Sequence, residues 1–135
     1  MLLSSYPARS DAALSLALYR AARRVEAASA PVLAALGLEY EAYLVLAQLW
    51  AADGATEGRL GATLGISSAS ERSRVNSLVA HSYAERQGAR IWLTDDGHRA
   101  RAVASRALDR DVVLDDVPLA HTRHLLDQLA ETLAP

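Results

Sequence analysis

The sequence predicts a mainly α-helical fold with one small β-hairpin. Three observations within its 135 residues lead to this prediction. The stretch from Leu60 to Leu78 is typical of two short helices joined by a tight turn. A hairpin pattern follows over residues 83–93, and helical segments flank both. Two helices with a Gly-bearing turn, followed by a hairpin, indicate a winged helix-turn-helix flanked by N- and C-terminal helices.

Composition narrows the function classes. The chain has no Cys, which excludes disulfides, thiolate metal sites and thiol redox sensing. Its net charge is −2 and every basic residue is Arg, so a nucleic-acid surface must be a local patch. No apolar run reaches the ~20 residues of a membrane span, and no signal peptide is recognised. We therefore expect a cytoplasmic protein without a membrane partner.

The sequence predicts a first dimerisation helix over residues 10–36. Residues 1–9 are expected to be a loose arm, since Pro7 opposes an early helix. Pro31 should kink or restart the helix after Ser29, and Gly37 should close it. A heptad-like apolar seam runs along this helix. It favours packing either against a partner subunit or against the core of the same chain. The seam comprises Leu14, Leu18, Ala21, Val25, Ala28 and Val32.

The winged helix-turn-helix is predicted over residues 38–94. Its first helix, from Tyr40 to Ala52, is apolar nearly all round and should be central and buried. Thr56 should cap the next helix, and Gly65 should end it in the left-handed conformation. Ser67 or Ser68 then caps the following helix, and Ser68 with Glu71 fits a capping box.

The predicted hairpin has Gly88 in its turn. Alternation places Ile91 and Leu93 inward, with Arg90 and Trp92 outward. Thr94 should cap a helix that runs to about residue 108. An acidic connector over residues 109–116, Pro118 and a last helix over 119–133 complete the chain, with a second dimerisation segment assigned to 109–133.

These motifs together resemble the MarR family of bacterial winged-helix regulators. The resemblance rests on the turn Leu64-Gly65-Ile66-Ser67, the helix after it, Tyr83-Ala84-Glu85-Arg86 and Leu93-Thr94-Asp95-Asp96-Gly97. The stretch LGLEYEAYLVLAQLW is most similar to the organic-hydroperoxide-resistance branch, although the reactive Cys of that branch is absent. The resemblance implies a homodimer joined through its terminal helices. It also implies that recognition helices read two half-sites of double-stranded DNA, a palindromic operator, while wings reach the minor groove.

Two further departures from the family concern the hairpin. Ser82 occupies the position of the usual glycine before the first strand. The wing is short, because the usual Asp-x-Arg element between Arg86 and Leu93 is absent and only residues 87–90 remain there.

Eight polar side chains are candidates for DNA contact. Arg72, matched to the family pattern, is on the outward face and is the best base-reading candidate, because Arg binds guanine bidentately. Arg74 falls nearer the buried side, where it snorkels outward or pairs with Glu71. Each Arg has the alternative of a merely solvated helix face. The candidates are Ser68, Ser70, Arg72, Ser73, Arg74, Ser77, Arg86 and Arg90.

Aromatic side chains of the first two helices are candidates for a pocket that takes a small lipophilic or aromatic ligand, with core packing as the alternative. These are Tyr19, Tyr40, Tyr43 and Trp50. His121, His124 and Asp127 share a helical face but match a solvated patch better than a metal site, so no metal and no cofactor are expected. No G-x-S-x-G, P-loop or H-E-x-x-H motif occurs, which argues against an enzyme.

The sequence thus supports a homodimeric DNA-binding transcriptional regulator, expected to be a ligand-responsive repressor. The alternative is a degenerate winged-helix module that binds a ligand or a protein and has lost specific DNA binding. The polar recognition helix, the short wing and the negative net charge favour this alternative.

Overall fold

A computed structural model describes residues 6–111 and 119–133, with side chains described for residues 12–108 and 120–133. Seven helices and three short strands make up the described part of the chain. In chain order they are α1 (Tyr6–Ala28), α2 (Ala30–Leu36), α3 (Tyr40–Ala51), β1 (Ala55–Thr56), α4 (Glu57–Leu64), α5 (Ser68–Ala80), β2 (Ala84–Gln87), β3 (Arg90–Leu93), α6 (Asp95–Asp111) and α7 (Leu119–Thr132).

The first helix begins earlier than predicted. α1 starts at Tyr6, so the expected loose arm over residues 1–9 is wrong for residues 6–9, and residues 1–5 lie outside the described part. Pro7 is tolerated because the first turn of a helix does not need its N–H. The break near Pro31 is confirmed: α1 ends at Ala28 and α2 begins at Ala30. Gly37 closes α2 with φ +70°.

The core lies around α3, as its apolar sequence predicted. Val45, Leu46 and Leu49 are fully buried and pack with residues of α2, α4, α5, β3 and α6. The Trp50 indole N–H donates to the Gly97 carbonyl (2.9 Å) and ties α3 to α6. Within the described residues no single helix has the length and hydrophobicity of a membrane span; α2 and α3 together do, but they meet at a bend of 81°.

The helix-turn-helix consists of α4 and α5, with Gly65 between them at φ +67° as predicted. Ser67 is the N-cap of α5, and its hydroxyl accepts from the Ser70 N–H (3.1 Å). The predicted capping box between Ser68 and Glu71 is therefore wrong, because Ser68 is already inside the helix. Thr56 occupies the N-cap position of α4, but its side chain makes no capping hydrogen bond.

The predicted hairpin is the outer part of a three-stranded sheet in the order β1-β3-β2, with antiparallel pairs. Gln87 pairs with Arg90 across a two-residue turn, and Gly88 takes φ +62°. Ile91 and Leu93 are buried and Arg90 and Trp92 are exposed, which confirms the predicted faces. The additional strand β1 pairs Ala55 with Ile91 and connects the hairpin to the start of α4.

The helix after the sheet is longer than predicted. Thr94 caps it, since its hydroxyl accepts from the Gly97 N–H (3.0 Å). α6 continues to Asp111, so the predicted connector does not begin at residue 109, and residues 112–118 lie outside the described part. α7 spans Leu119–Thr132, close to the predicted last helix.

Candidate DNA-binding surface

The outward face of α5, the predicted recognition helix, carries three exposed polar side chains: Arg72, Ser73 and Asn76. Their spacing of one and three residues places them on one side of the helix, opposite the buried Val75 and Leu78. The outward position predicted for Arg72 agrees with its exposure. Asn76 was missed by the sequence reasoning, although its helical phase relative to Arg72 was available as a signal. Asn pairs bidentately with adenine as Arg does with guanine.

Arg74 points toward the domain rather than outward. Its guanidinium contacts the carboxylates of Glu39 (3.1 Å) and Glu41 (3.3 Å) at the start of α3. Its side chain is 27% exposed. The predicted pairing with Glu71 is therefore wrong, and Arg74 connects the recognition helix to α3.

Glu71 is one of the two buried polar residues in the described part, at 4% exposure. Its carboxylate accepts a hydrogen bond from the backbone N–H of Gly61 in α4. The capping role predicted for Glu71 is replaced by a contact between the two helices of the helix-turn-helix. Its charge does not face outward, so it does not repel a phosphate at the helix surface.

The wing, formed by β2 and β3, carries two Arg that both bind the protein itself. Arg86 donates to the Glu57 carboxylate at 2.9 and 3.2 Å. Arg90 donates through Nη1 to the Gly54 carbonyl at 2.7 Å. The Arg90 guanidinium thus binds the backbone of the turn that precedes β1.

The remaining predicted DNA contacts are serines of α5. Ser68 and Ser73 are exposed, whereas Ser70 and Ser77 are half-buried. The Ser70 hydroxyl accepts from the Ser67 hydroxyl (3.1 Å), so it is part of the cap. The structure thus brings Arg72, Ser73 and Asn76 together and engages Arg74, Arg86 and Ser70 in intramolecular contacts.

A separate apolar cavity of about 520 Å³ lies between α1, α3 and α6. Two of the four predicted ligand-binding residues, Tyr40 and Tyr43, line it, and Arg24 is at its edge. Burial raises the pKa of both phenols, and the nearby Glu26 carboxylate adds to the effect on the pKa of Tyr40. Both hydroxyls are therefore neutral hydrogen-bond donors at physiological pH.

The other two predicted ligand residues lie elsewhere. Tyr19 is 66% exposed on α1 and does not line this cavity. Trp50 packs edge-on against Tyr43, with 6.1 Å between ring centroids, and its N–H is used by Gly97. Among the described residues no group of three or more His, Cys, Asp or Glu is arranged to hold a metal ion.

The terminal helices leave large apolar side chains uncovered. On α1 these include Leu14, Leu16 and Val25, which are 41%, 60% and 58% exposed. On α7, Leu125 and Leu126 are 51% and 46% exposed. Leu14 and Val25 belong to the predicted seam, whereas Leu16 does not, and the last seam residue, Val32, is fully buried in α2. The predicted seam is therefore only partly exposed on α1.

Solved structures show what this architecture is similar to. AbfR of Staphylococcus epidermidis superposes with a TM-score of 0.85 at 23% identity, over 98% of this chain and 97% of AbfR. CouR from Rhodococcus jostii RHA1, solved with p-coumaroyl-CoA, gives a TM-score of 0.74 at 23% identity, over 90% and 92% of the two chains. A MarR family transcriptional regulator from Rhodococcus sp. RHA1 gives a TM-score of 0.72 at 22% identity, over 90% of this chain and 93% of that regulator. AbfR has also been solved bound to DNA. That structure gives a TM-score of 0.75 at 24% identity, over 93% of this chain and 92% of AbfR.

No protein-family profile and no curated protein matches the chain. The structural matches span nearly the whole length of both chains, so the chain has the winged-helix fold of MarR family transcriptional regulators. The fold resemblance inferred from the sequence is confirmed. The closer likeness to the organic-hydroperoxide-resistance branch stays a prediction.

Proposed function

We propose that this protein is a DNA-binding transcriptional regulator that acts as a homodimer. It represses transcription until a small ligand binds. The observation that carries the proposal is the outward face of α5, where Arg72, Ser73 and Asn76 lie together on a helix of the correct type for major-groove reading. The DNA-bound structure of the similarly folded AbfR supports the same role for this helix-turn-helix.

Base reading is assigned to Arg72 and Asn76. Arg pairs with the O6 and N7 of guanine, and Asn pairs with the N6 and N7 of adenine. Ser73, between them on the helix surface, is assigned a hydrogen bond to a base or a phosphate, and Ser68 a phosphate contact near the helix start. Arg74 is assigned a positioning role because Glu39 and Glu41 already bind its guanidinium.

The homodimer is supported by the uncovered apolar surfaces of α1 and α7. Two copies of α5 in a two-fold dimer would meet two half-sites of a palindromic operator about one helical turn apart. The spacing of the recognition helices then depends on how the terminal helices pack.

The ligand is assigned to the cavity between α1, α3 and α6. Its wall combines apolar side chains with two phenol donors and one guanidinium, which suits a lipophilic or aromatic molecule with an acidic group. CouR, a protein of the same fold, has been solved with p-coumaroyl-CoA. A ligand that binds better to one arrangement of α1 and α3 shifts the population away from the DNA-binding spacing.

Fluorescence anisotropy of the full chain, with its own upstream duplex and a scrambled duplex, tests the proposal. A regulator should prefer its own DNA by about 10³-fold or more. Arg72→Ala and Asn76→Ala should each weaken specific binding by about 1–3 kcal/mol, while Arg101→Gln on α6 serves as a control for lost charge.

Weak binding without preference would instead support the alternative, a winged-helix module that binds a ligand or a protein. The intramolecular pairing of Arg74 and Arg86 is the observation that favours this alternative. A size measurement that detects a preferred heterologous partner would then identify the second function.

A further inference from the structure

A second cavity, of about 270 Å³, lies at the base of the wing. The cavity is lined by residues 52–56, by Arg59 of α4 and by Arg90 of β3. The two Arg are 31 positions apart in the sequence and come together only because β1 pairs with β3 directly before α4 begins.

The cavity holds two guanidinium groups with unused donors. Arg90 uses Nη1 for the Gly54 carbonyl, which leaves Nε and Nη2 available. Arg59 is exposed, and within the described residues its guanidinium makes no hydrogen bond or ion pair. Two such groups facing one space of this size suit an anion with several acceptor oxygens.

The Arg90 side of the cavity is held in place by its neighbours. The Trp92 ring packs so closely on Gly54 that a Cβ at Gly54 would lie 2.5 Å from it. The Asp53 carboxylate accepts from the Gly54 N–H (3.0 Å) and from the Leu93 N–H (2.8 Å). The Gly54 carbonyl, and with it the Arg90 guanidinium, is thus fixed by contacts on both sides.

Asp53 is the one acidic residue among the residues that line this cavity. One of its oxygens is occupied by the two backbone N–H groups, and the other lies 3.8 Å from the His98 ring. With two Arg and one engaged carboxylate, the cavity carries a net positive charge at neutral pH.

We infer that Arg59 and Arg90 together bind a single phosphate of the DNA backbone at the base of the wing. This inference rests on the proposed function and extends it, since the contact lies outside the recognition helix. The cavity opens where α4, the first helix of the helix-turn-helix, begins, and in this motif that helix crosses the DNA backbone. A phosphate bound there anchors the base of the short wing on the DNA backbone.

The experiment is a salt series of anisotropy titrations with the full chain and two duplexes, its own upstream DNA and a scrambled one. Arg59→Gln and Arg90→Gln should each weaken binding about five- to tenfold near 0.1 M salt, equally for both duplexes. Because each single variant keeps one Arg on the phosphate, it should reduce the slope of log K against log salt by less than about 0.9. Arg101→Gln, which removes the same charge from exposed α6, should change neither quantity.

The double variant tests whether the phosphate is shared. If both Arg bind one phosphate, Arg59→Gln/Arg90→Gln should lose about 0.9 of slope in total. A loss of twice that slope would mean two separate contacts and would overturn the inference. So would a wild-type slope in the double variant, or an equal loss in Arg101→Gln. Circular dichroism melts identify any variant that loses its fold, and Arg59→Gln removes no side-chain hydrogen bond or ion pair among the described residues.

The outcome separates the inference from the proposed function. Wild-type protein without preference for its own DNA contradicts the proposed function. Preference retained together with an unchanged slope in the double variant contradicts only the phosphate site. Inorganic phosphate alone, followed through Trp92 fluorescence at constant ionic strength, is expected to give no saturable response below a few millimolar. A tighter response that Arg59→Gln abolishes would assign the cavity to a free phosphate compound and overturn the DNA contact.

Discussion

At the scale of single residues, the contact between Glu71 and Gly61 determines how closely α4 and α5 approach. A Cβ on Gly61 would lie 2.8 Å from the Glu71 Cδ and 3.0 Å from its Cβ. Gly61→Ala should therefore lower the free energy of unfolding by about 1–3 kcal/mol through overpacking. Denaturant unfolding followed by circular dichroism measures this change.

The same helix offers a matched control at Gly58, where an added Cβ meets nothing within 4 Å. Gly58→Ala should raise the free energy of unfolding by up to about 0.5–1 kcal/mol, because Ala favours the helix more than Gly does. The interpretation fails if both substitutions change stability in the same direction. Glu71→Ala combined with Gly61→Ala should cost less than the sum of the two single changes, since it removes the clash.

Ser82 is the one non-glycine residue with positive φ in the described part, at +63°. Its N–H donates to the Val79 carbonyl (3.0 Å), and the Tyr83 N–H reaches back to Leu78 (2.9 Å), so Ser82 ends α5 in a left-handed turn. Ser82→Gly should raise the free energy of unfolding by about 0.5–1 kcal/mol, because the left-handed conformation strains a side chain.

The control for this prediction is Ser105→Gly, at an exposed position inside α6. The same substitution should lower the free energy of unfolding there by about 0.5 kcal/mol, since Gly opposes a helix interior. Thermal melts of the two variants should therefore shift in opposite directions. A lower melting temperature for Ser82→Gly would show that the left-handed turn carries no strain.

At the scale of elements, Arg74 anchors the recognition helix to α3 through Glu39 and Glu41. The carboxylates are 78% and 44% exposed, so the ion pairs are worth about 0.5–1 kcal/mol together and weaken with salt. Arg74→Gln should lower the free energy of unfolding by that amount in dilute buffer and by less in 1 M salt. Its preference for its own DNA over scrambled DNA should stay within about twofold of wild type.

Arg72→Gln is the counterpart on the outward face of the same helix. It should leave the unfolding free energy within about 0.5 kcal/mol and reduce the preference between duplexes. A loss of preference in Arg74→Gln as large as in Arg72→Gln would mean that Arg74 leaves its carboxylates and reads DNA directly.

The sequence predicts those features of the elements that neighbouring residues determine. It does not predict those that depend on contacts between distant parts of the chain. The wing faces follow from alternation and the turn from Gly88, both local features, and both are confirmed. The strand β1 was not predicted because Ala55 and Thr56 have no strand pattern and pair only once β3 is in place. The cap of α5 fell on Ser67 rather than Ser68, a choice between two chemically equal residues that the path of the turn decides.

In the candidate site, too, local sequence spacing predicts some features, and helix packing decides the others. The outward position of Arg72 follows from helical period, and Asn76 was within reach of the same argument. The carboxylate partners of Arg74 lie 33 and 35 positions away, and the Gly61 partner of Glu71 lies ten positions away across a turn. Such contacts depend on how helices pack, so sequence spacing alone does not reveal them.

At the scale of the whole molecule, the uncovered side chains of α1 and α7 determine the proposed assembly. α1 has 23 residues and so is about 35 Å long, enough to form an extended helix–helix contact. Val25 of α1 and Leu126 of α7 line one groove, so exposed apolar side chains of the two helices lie side by side. Because patches of this kind are rarely left exposed on soluble monomers, we expect a second copy to cover them.

Sedimentation equilibrium at micromolar concentration should therefore give twice the 14.4 kDa of one chain. Leu125→Glu places a charge in the apolar surface of α7 and should shift the protein toward the monomer mass, because burying an unpaired carboxylate is costly. Gln128→Glu adds the same charge at an exposed polar position of the same helix and should leave the dimer intact. If Leu125→Glu keeps the dimer mass, the subunits meet elsewhere. If the wild type itself has the monomer mass, the two recognition helices cannot be held at operator spacing and the proposed mode of DNA binding fails with them.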